Sequence, residues 1–135
     1  MDPNFVTFLI VDDMKVQRMA IVRQVKLLGF ANIMEASNGL EGWTKVDGFV
    51  EADDHRLVVL SDWNMPECDG LEFLRKVRSD DRFKKLCFLI ITAEMELSSV
   101  DVLAKEGVTA YLAKPFTAEQ FKESVTKAMR IAGIV

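Results

Sequence analysis

The sequence predicts an α/β domain, a five-stranded parallel sheet with helices on both faces. Two observations carry that reading. Three apolar runs, residues 8–11, 57–60 and 88–91, are rich in β-branched or aromatic side chains and lack polar alternation, as strands covered on both faces do. The stretches between and after them keep helical spacing, so strand and helix alternate five times, and strands joined by helices pair in parallel. With 135 residues, half of them hydrophobic, one core and one domain over residues 1–135 are expected.

After the first run, Val16, Met19, Ala20, Val22, Arg23 and Leu27 mark a helix that stops at Gly29, a natural C-cap. A second strand fits residues 33–36. Residues 39–49 read as a helix although Gly42 sits inside it, at a cost of about 1 kcal/mol relative to alanine; beside Trp43, the glycine makes room for the indole. The polar run 51–56 is a surface loop carrying His55, the one histidine, exposed to solvent. Asp69-Gly70 opens a helix with Leu71, Phe73, Leu74 and Val77. Ser98 or Ser99 caps a helix running through Lys105 to Gly107, and a fifth strand covers 109–112. Thr117 caps the last helix, with Glu119 or Gln120 in its first turn and Phe121, Val125 and Met129 on one face.

Composition removes several classes. Seventeen basic against 21 acidic residues, net charge -4, argue against a nucleic-acid module, which would usually show a clustered basic face. Cys68 and Cys87 form no C-x-x-C pair and are read as reduced and structural. No apolar run approaches the ~18 residues of a membrane span, and the N-terminus lacks the basic region of a signal peptide. The expected setting is the cytoplasm. A G-x-G-x-x-G fingerprint and a P-loop are both missing.

The chemistry lies at the carboxyl ends of the strands. The first run ends in Asp12-Asp13, the second in Ser61-Asp62, the third in Thr92, and the fifth strand leads into Lys114-Pro115. Open parallel sheets bind ligands beyond the carboxyl ends of their strands, so these groups converge on one edge. Three carboxylates together repel, and each raises the others' pKa unless a cation compensates. With few protein oxygens and room for water, Mg²⁺ suits such a site better than Ca²⁺. A metal with Lys114 complements a dianion such as a phosphoryl group, to which Thr92 can donate its hydroxyl. Asp62, at a strand tip with Trp63-Asn64-Met65-Pro66 directly after it, is the candidate nucleophile toward phosphorus, giving an acyl phosphate. The proline-directed loop can turn a backbone carbonyl back toward the metal.

Four motifs, VDD, SDWNMPECDG, TAE and YLAKPF, stand together in an order and spacing that resembles the receiver domains of two-component response regulators, above all those of chemotaxis. The resemblance spans essentially the whole chain. It implies a flavodoxin-like, doubly wound (βα)5 fold with strand order 2-1-3-4-5. It makes Asp62 the phosphoacceptor, Asp13 a direct Mg²⁺ ligand, Asp12 a ligand through water or an orienting group, and Asn64 a backbone carbonyl ligand. Thr92 and Lys114 become the hydroxyl and the ion-pair partner of the phosphoryl group, with Lys114-Pro115 a cis peptide. Tyr111 is the aromatic that reports the state of Thr92, on an output face with Met95, Leu97 and Val100. Asn64 and Glu94 flank the acceptor and tune dephosphorylation.

The implied partners are a histidine kinase of the chemotaxis type, the flagellar motor switch or another protein target, and a phosphatase; nucleic acid and membrane are not expected, and the protein is expected to be a monomer. With no DNA-binding segment after Val135, output is expected through protein contact. The chain departs from the chemotaxis pattern in its longer loop at 51–56, and in Glu96, Leu97 and Ser124, which stand where relatives carry lysines. Two other readings compete. One is a phosphorelay intermediate or phosphate sink. The other is an aspartate-nucleophile phosphohydrolase, disfavoured because Asn64 stands where such enzymes carry a second acid. Beyond its own phosphorylation and dephosphorylation, the protein is not expected to be an enzyme.

Overall fold

The computed structural model describes residues 2–93 and 97–135, the side chains of Leu97 and Ser98 excepted. Strands β1 (Val6–Val11), β2 (Asn32–Ala36), β3 (Arg56–Ser61), β4 (Cys87–Thr92) and β5 (Ala110–Ala113) alternate with helices α1 (Lys15–Leu27), α2 (Gly39–Asp47), α3 (Gly70–Ser79), α4 (Leu97–Lys105) and α5 (Ala118–Ile131). The strands form one parallel sheet in the order β2-β1-β3-β4-β5, the doubly wound flavodoxin-like order that was expected. Each apolar run lies inside a strand, lengthened by a residue or two at its ends.

Alternation along each strand sorts the core into two layers. Phe8, Ile10, Val58, Leu60, Leu89 and Ile91 pack with Ile21 and Val25 of α1 and with Phe121, Val125 and Met129 of α5. Leu9, Val11, Val59, Phe88 and Ile90 pack with Val46 of α2, Phe73, Leu74 and Val77 of α3, and Leu103 of α4. Both faces of β1, β3 and β4 are therefore dry, which is why their sequences do not alternate. The edge strands β2 and β5 are partly exposed, and β2 carries the polar residues Asn32 and Glu35.

Caps set the helix starts. Asn38 Oδ1 accepts from Glu41 N at 2.9 Å, Asp69 Oδ1 accepts from Glu72 N at 2.9 Å, and Thr117 and Gln120 form a reciprocal capping box. Past the end of α1, Gly29 takes φ 99°, the left-handed conformation that suits glycine. Two expectations fail in detail. Helix α4 already begins at Leu97, so Ser98 and Ser99 lie inside its first turn and not ahead of it. Of the residues that mark α1 in the sequence, Val16, Met19, Ala20 and Leu27 are exposed and Val22 packs half-buried against the core, while Ile21 and Val25 are buried. The register that buries Ile21 and Val25 is held by Arg18, which donates to the Asp12 carbonyl at 2.8 Å and pairs with Glu35 at 2.9 Å. Gly42 makes room for Phe73 and not for the Trp43 indole: a Cβ there would stand 2.8 Å from the Phe73 ring.

The loop at 51–56 is a tether as well as a surface loop. Glu51 Oε2 accepts from Arg56 Nε at 3.1 Å and from Leu57 N at 3.0 Å, while the Arg56 guanidinium donates to the carbonyls of Ala132 at 3.0 Å and Gly133 at 3.4 Å. His55 is exposed and its ring stacks on Phe49 at 4.4 Å. Both cysteines are free and buried; burial pushes the Cys87 thiol up to about 12 and also raises that of Cys68, so neither is a ready nucleophile.

Helix propensity and packing oppose each other at Gly42. Alanine gains about 1 kcal/mol of helix propensity, but overpacking against Phe73 costs about 1–3 kcal/mol. Gly42→Ala is expected to lower stability by about 1 kcal/mol net, read as a lower urea midpoint at unchanged slope.

Candidate functional site

Among the described residues, the buried polar and charged side chains are Asp12, Ser61, Asp62 and Thr92. All four lie at or just past the carboxyl ends of β1, β3 and β4. Backbone pairing continues beyond the strands to fix them: Asp12 N donates to Ala36 O at 3.1 Å, Asp62 N to Val11 O at 2.9 Å, and Lys114 N to Thr92 O at 3.0 Å. The site is an extension of the sheet's own ladder.

Each carboxylate is then aimed locally. Asp12 Oδ1 accepts from Met14 N at 2.9 Å, a tight turn that starts α1. Asp62 Oδ1 accepts from Trp63 N at 2.7 Å. The Asp62 carbonyl accepts from Ser61 Oγ at 2.8 Å. The loop after Asp62 folds back so that Gly70 N donates to Trp63 O at 2.8 Å. A Cβ on Gly70 would collide with the Asp62 carbonyl oxygen, so this position requires glycine to keep the acid in place.

Carboxylate oxygens of Asp12, Asp13 and Asp62 lie within 4.8 Å of one another, two from buried residues and one from an exposed residue. Lys114 Nζ stands 3.4 Å from Asp12 Oδ2 and 3.3 Å from Asp62 Oδ2. Three carboxylates against one ammonium leave the cleft negative. Burial pushes the Asp12 carboxyl above the usual carboxylate range, the hydrogen bond from Met14 N and the charge of Lys114 pull it back, and Asp62 adds to the rise. A divalent cation bound by oxygen ligands answers that excess, and the donor set suits Mg²⁺.

The remaining sequence candidates divide. Thr92 is buried at the end of β4, beside β3. Asn64 is exposed in the loop after Asp62. The Lys114-Pro115 peptide is cis. Register pairs Ile90 with Tyr111 and Thr92 with Ala113, which puts Tyr111 and Thr92 on the same sheet face, the α4 side. Tyr111 is 44% exposed, and Val100 of α4 is half-buried. Glu94, Met95 and Glu96, with the side chain of Leu97, lie outside the described residues. Two contributors escaped the sequence reading: Gly70, whose role is visible only from the folded loop, and Gln17, whose Oε1 accepts from Lys114 Nζ at 2.7 Å.

An open parallel sheet with an acid cluster and a lysine at its carboxyl edge is the arrangement expected of the receiver class. Comparison with known proteins agrees. The response regulator receiver domain family matches residues 8–126, and the chain belongs to that family. It is similar to chemotaxis protein CheY1 of Helicobacter pylori, 40% identical over 117 residues that make up 87% of this chain and 91% of the relative. It is also similar to a chemotaxis protein CheY homolog of Campylobacter jejuni, 35% identical over 87% of each chain. Among solved structures, chemotaxis response regulator CheY4 of Vibrio cholerae superposes with a TM-score of 0.79 at 27% identity, covering 91% of this chain and 98% of that one. No described helix is long and apolar enough to cross a membrane.

The raised Asp12 pKa has a definite sign. The folded state holds that proton more tightly than the unfolded chain, so Asp12 costs stability increasingly as pH rises through the carboxylate range. In metal-free protein, Asp12→Asn is expected to be more stable than wild type at about pH 8 and to lose that advantage at about pH 4. Thermal melts in chelator across that interval check it; a variant less stable at the upper end contradicts the burial account.

Proposed function

We propose that this receiver domain takes a phosphoryl group onto Asp62 from the phosphohistidine of a histidine kinase of the chemotaxis type. The modification switches a protein-binding face in control of the flagellar motor. One arrangement carries the phosphoryl reading: the Lys114 ammonium faces the carboxylates of Asp12 and Asp62 at the end of the sheet. The chemotaxis assignment is supported by the relatives at 40% and 35% identity, which bear that name.

An Asp62 carboxylate oxygen attacks phosphorus, the nitrogen–phosphorus bond of the donor breaks, and the imidazole departs. Such a transfer needs positioning and charge neutralisation more than covalent help from the protein. Asp12, Asp13 and Asp62, with the Asn64 backbone carbonyl, would hold Mg²⁺, which when bound would neutralise charge on the transferring oxygens. Lys114 pairs with one phosphoryl oxygen and Thr92 donates its hydroxyl to another. Asn64, and Glu94 by the family resemblance, set how readily water reaches the acyl phosphate.

Movement of Thr92 toward the phosphoryl group alters the sheet face it shares with Tyr111. The face carrying Tyr111 and Val100, to which the family resemblance adds Met95 and Leu97, then binds the motor switch or another protein target. A phosphatase resets the state. The phosphoryl group shifts this equilibrium only through differential affinity for the two forms, so phosphorylation and partner strengthen each other reciprocally. The protein acts as a monomer in the cytoplasm.

Asp62→Asn is expected to reduce hydroxylamine-labile labelling by acetyl phosphate to background; full labelling of that variant places the nucleophile elsewhere. Thr92→Ala is expected to keep accepting phosphate while losing the enhancement of partner binding by beryllofluoride. Equal enhancement in wild type and variant removes Thr92 from the coupling.

A further inference from the structure

The shortest bond made by the Lys114 ammonium goes to neither carboxylate. Gln17 Oε1 accepts from it at 2.7 Å, whereas Asp62 Oδ2 and Asp12 Oδ2 stand 3.3 and 3.4 Å away. Ammonium–carboxylate hydrogen bonds normally close to about 2.7–2.9 Å. A cation facing two buried acids is expected to settle onto them; here a neutral amide holds it off. Gln17 lies in the first turn of α1, and the residue beside it, Arg18, is fastened to the Asp12 carbonyl and to Glu35. The amide therefore projects from an anchored stretch of helix.

We infer that Gln17 is a positioning residue that holds the Lys114 ammonium on the α1 side of the cleft. This hold has two consequences. The Asp12 and Asp62 oxygens stay open to a divalent cation, because a lysine seated tightly on them competes for the same lone pairs. The ammonium also stays available to a phosphoryl oxygen extending from Asp62. The residue type fits both tasks: a glutamate could hold the lysine equally well, but it would add a fourth carboxylate to a cleft already short of positive charge. The phosphoryl half of this role rests on the function proposed above, and the cation half rests on the carboxylate cluster alone.

The test is a double-mutant cycle read by calorimetric titration of metal-free protein with Mg²⁺. Gln17→Met keeps the length of the side chain and removes its acceptor. It is expected to weaken Mg²⁺ binding about three- to tenfold without moving the urea midpoint, because Gln17 is exposed. In a Lys114→Met background the same substitution should change nothing, since no ammonium is left to restrain. Unchanged Mg²⁺ affinity in Gln17→Met, an equal loss in both backgrounds, or no Mg²⁺ binding by wild type overturns the assignment. Labelling by acetyl phosphate separates the two readings. If wild type takes no label while the Mg²⁺ cycle comes out as expected, the phosphoryl-acceptor function fails and the hold on the lysine stands. If wild type labels and the cycle shows no coupling, the function survives and Gln17 is only a surface residue.

Discussion

The governing constraint is like charge held together at the end of a sheet. Three carboxylates share a cleft with one lysine, and left to themselves they would separate. The backbone prevents this. Asp12 and Asp62 are the first residues past β1 and β3, and their N–H groups are taken by the carbonyls of Ala36 and Val11 in the neighbouring strands. Neither can withdraw without breaking the ladder. The two apolar layers stabilise that ladder from both sides, so burial on each face of the sheet offsets the repulsion at its edge.

The same arrangement explains why small residues recur around the site. Gly70 comes so close to the Asp62 carbonyl that any side chain would push the strand tip away, and Gly39 lies against Cys68 in the same returning loop. These glycines are contact points between distant parts of the chain. Their requirement for no Cβ is a steric one, set after folding, and has little to do with local propensity.

Much of this architecture is legible in the sequence. The runs at β1, β3 and β4 show as uninterrupted apolar stretches because both faces of those strands are covered, and Asp12, Asp62, Thr92 and Lys114 stand out as polar groups at the strand ends. The caps at Asp69 and Thr117 are readable because a side-chain acceptor and the backbone it caps are neighbours in sequence. The features that escape such a reading depend on tertiary contact. The face of α1 that is buried depends on contacts distant in sequence, Arg18 reaching the Asp12 carbonyl just past β1 and Glu35 of β2. The Gly42 position answers to Phe73, which is distant in sequence. A single glutamine in a helix carries no pattern, so Gln17 could be found only once Lys114 had been placed beside it.

The Arg56 tether carries a consequence for how this module can be handled and joined. Arg56 opens β3 at the amino edge of the sheet, and its guanidinium grips the carbonyls of Ala132 and Gly133 just after α5. At the same edge, Asn32 at the start of β2 donates to the carbonyl of Asn4 at 3.0 Å. Both ends of the described chain are thus drawn to the side opposite the acid cluster. A fluorophore, an affinity handle or a surface linker attached at either end leaves the carboxylate cleft facing away from it. The module can be immobilised by its ends with its acidic edge toward solution.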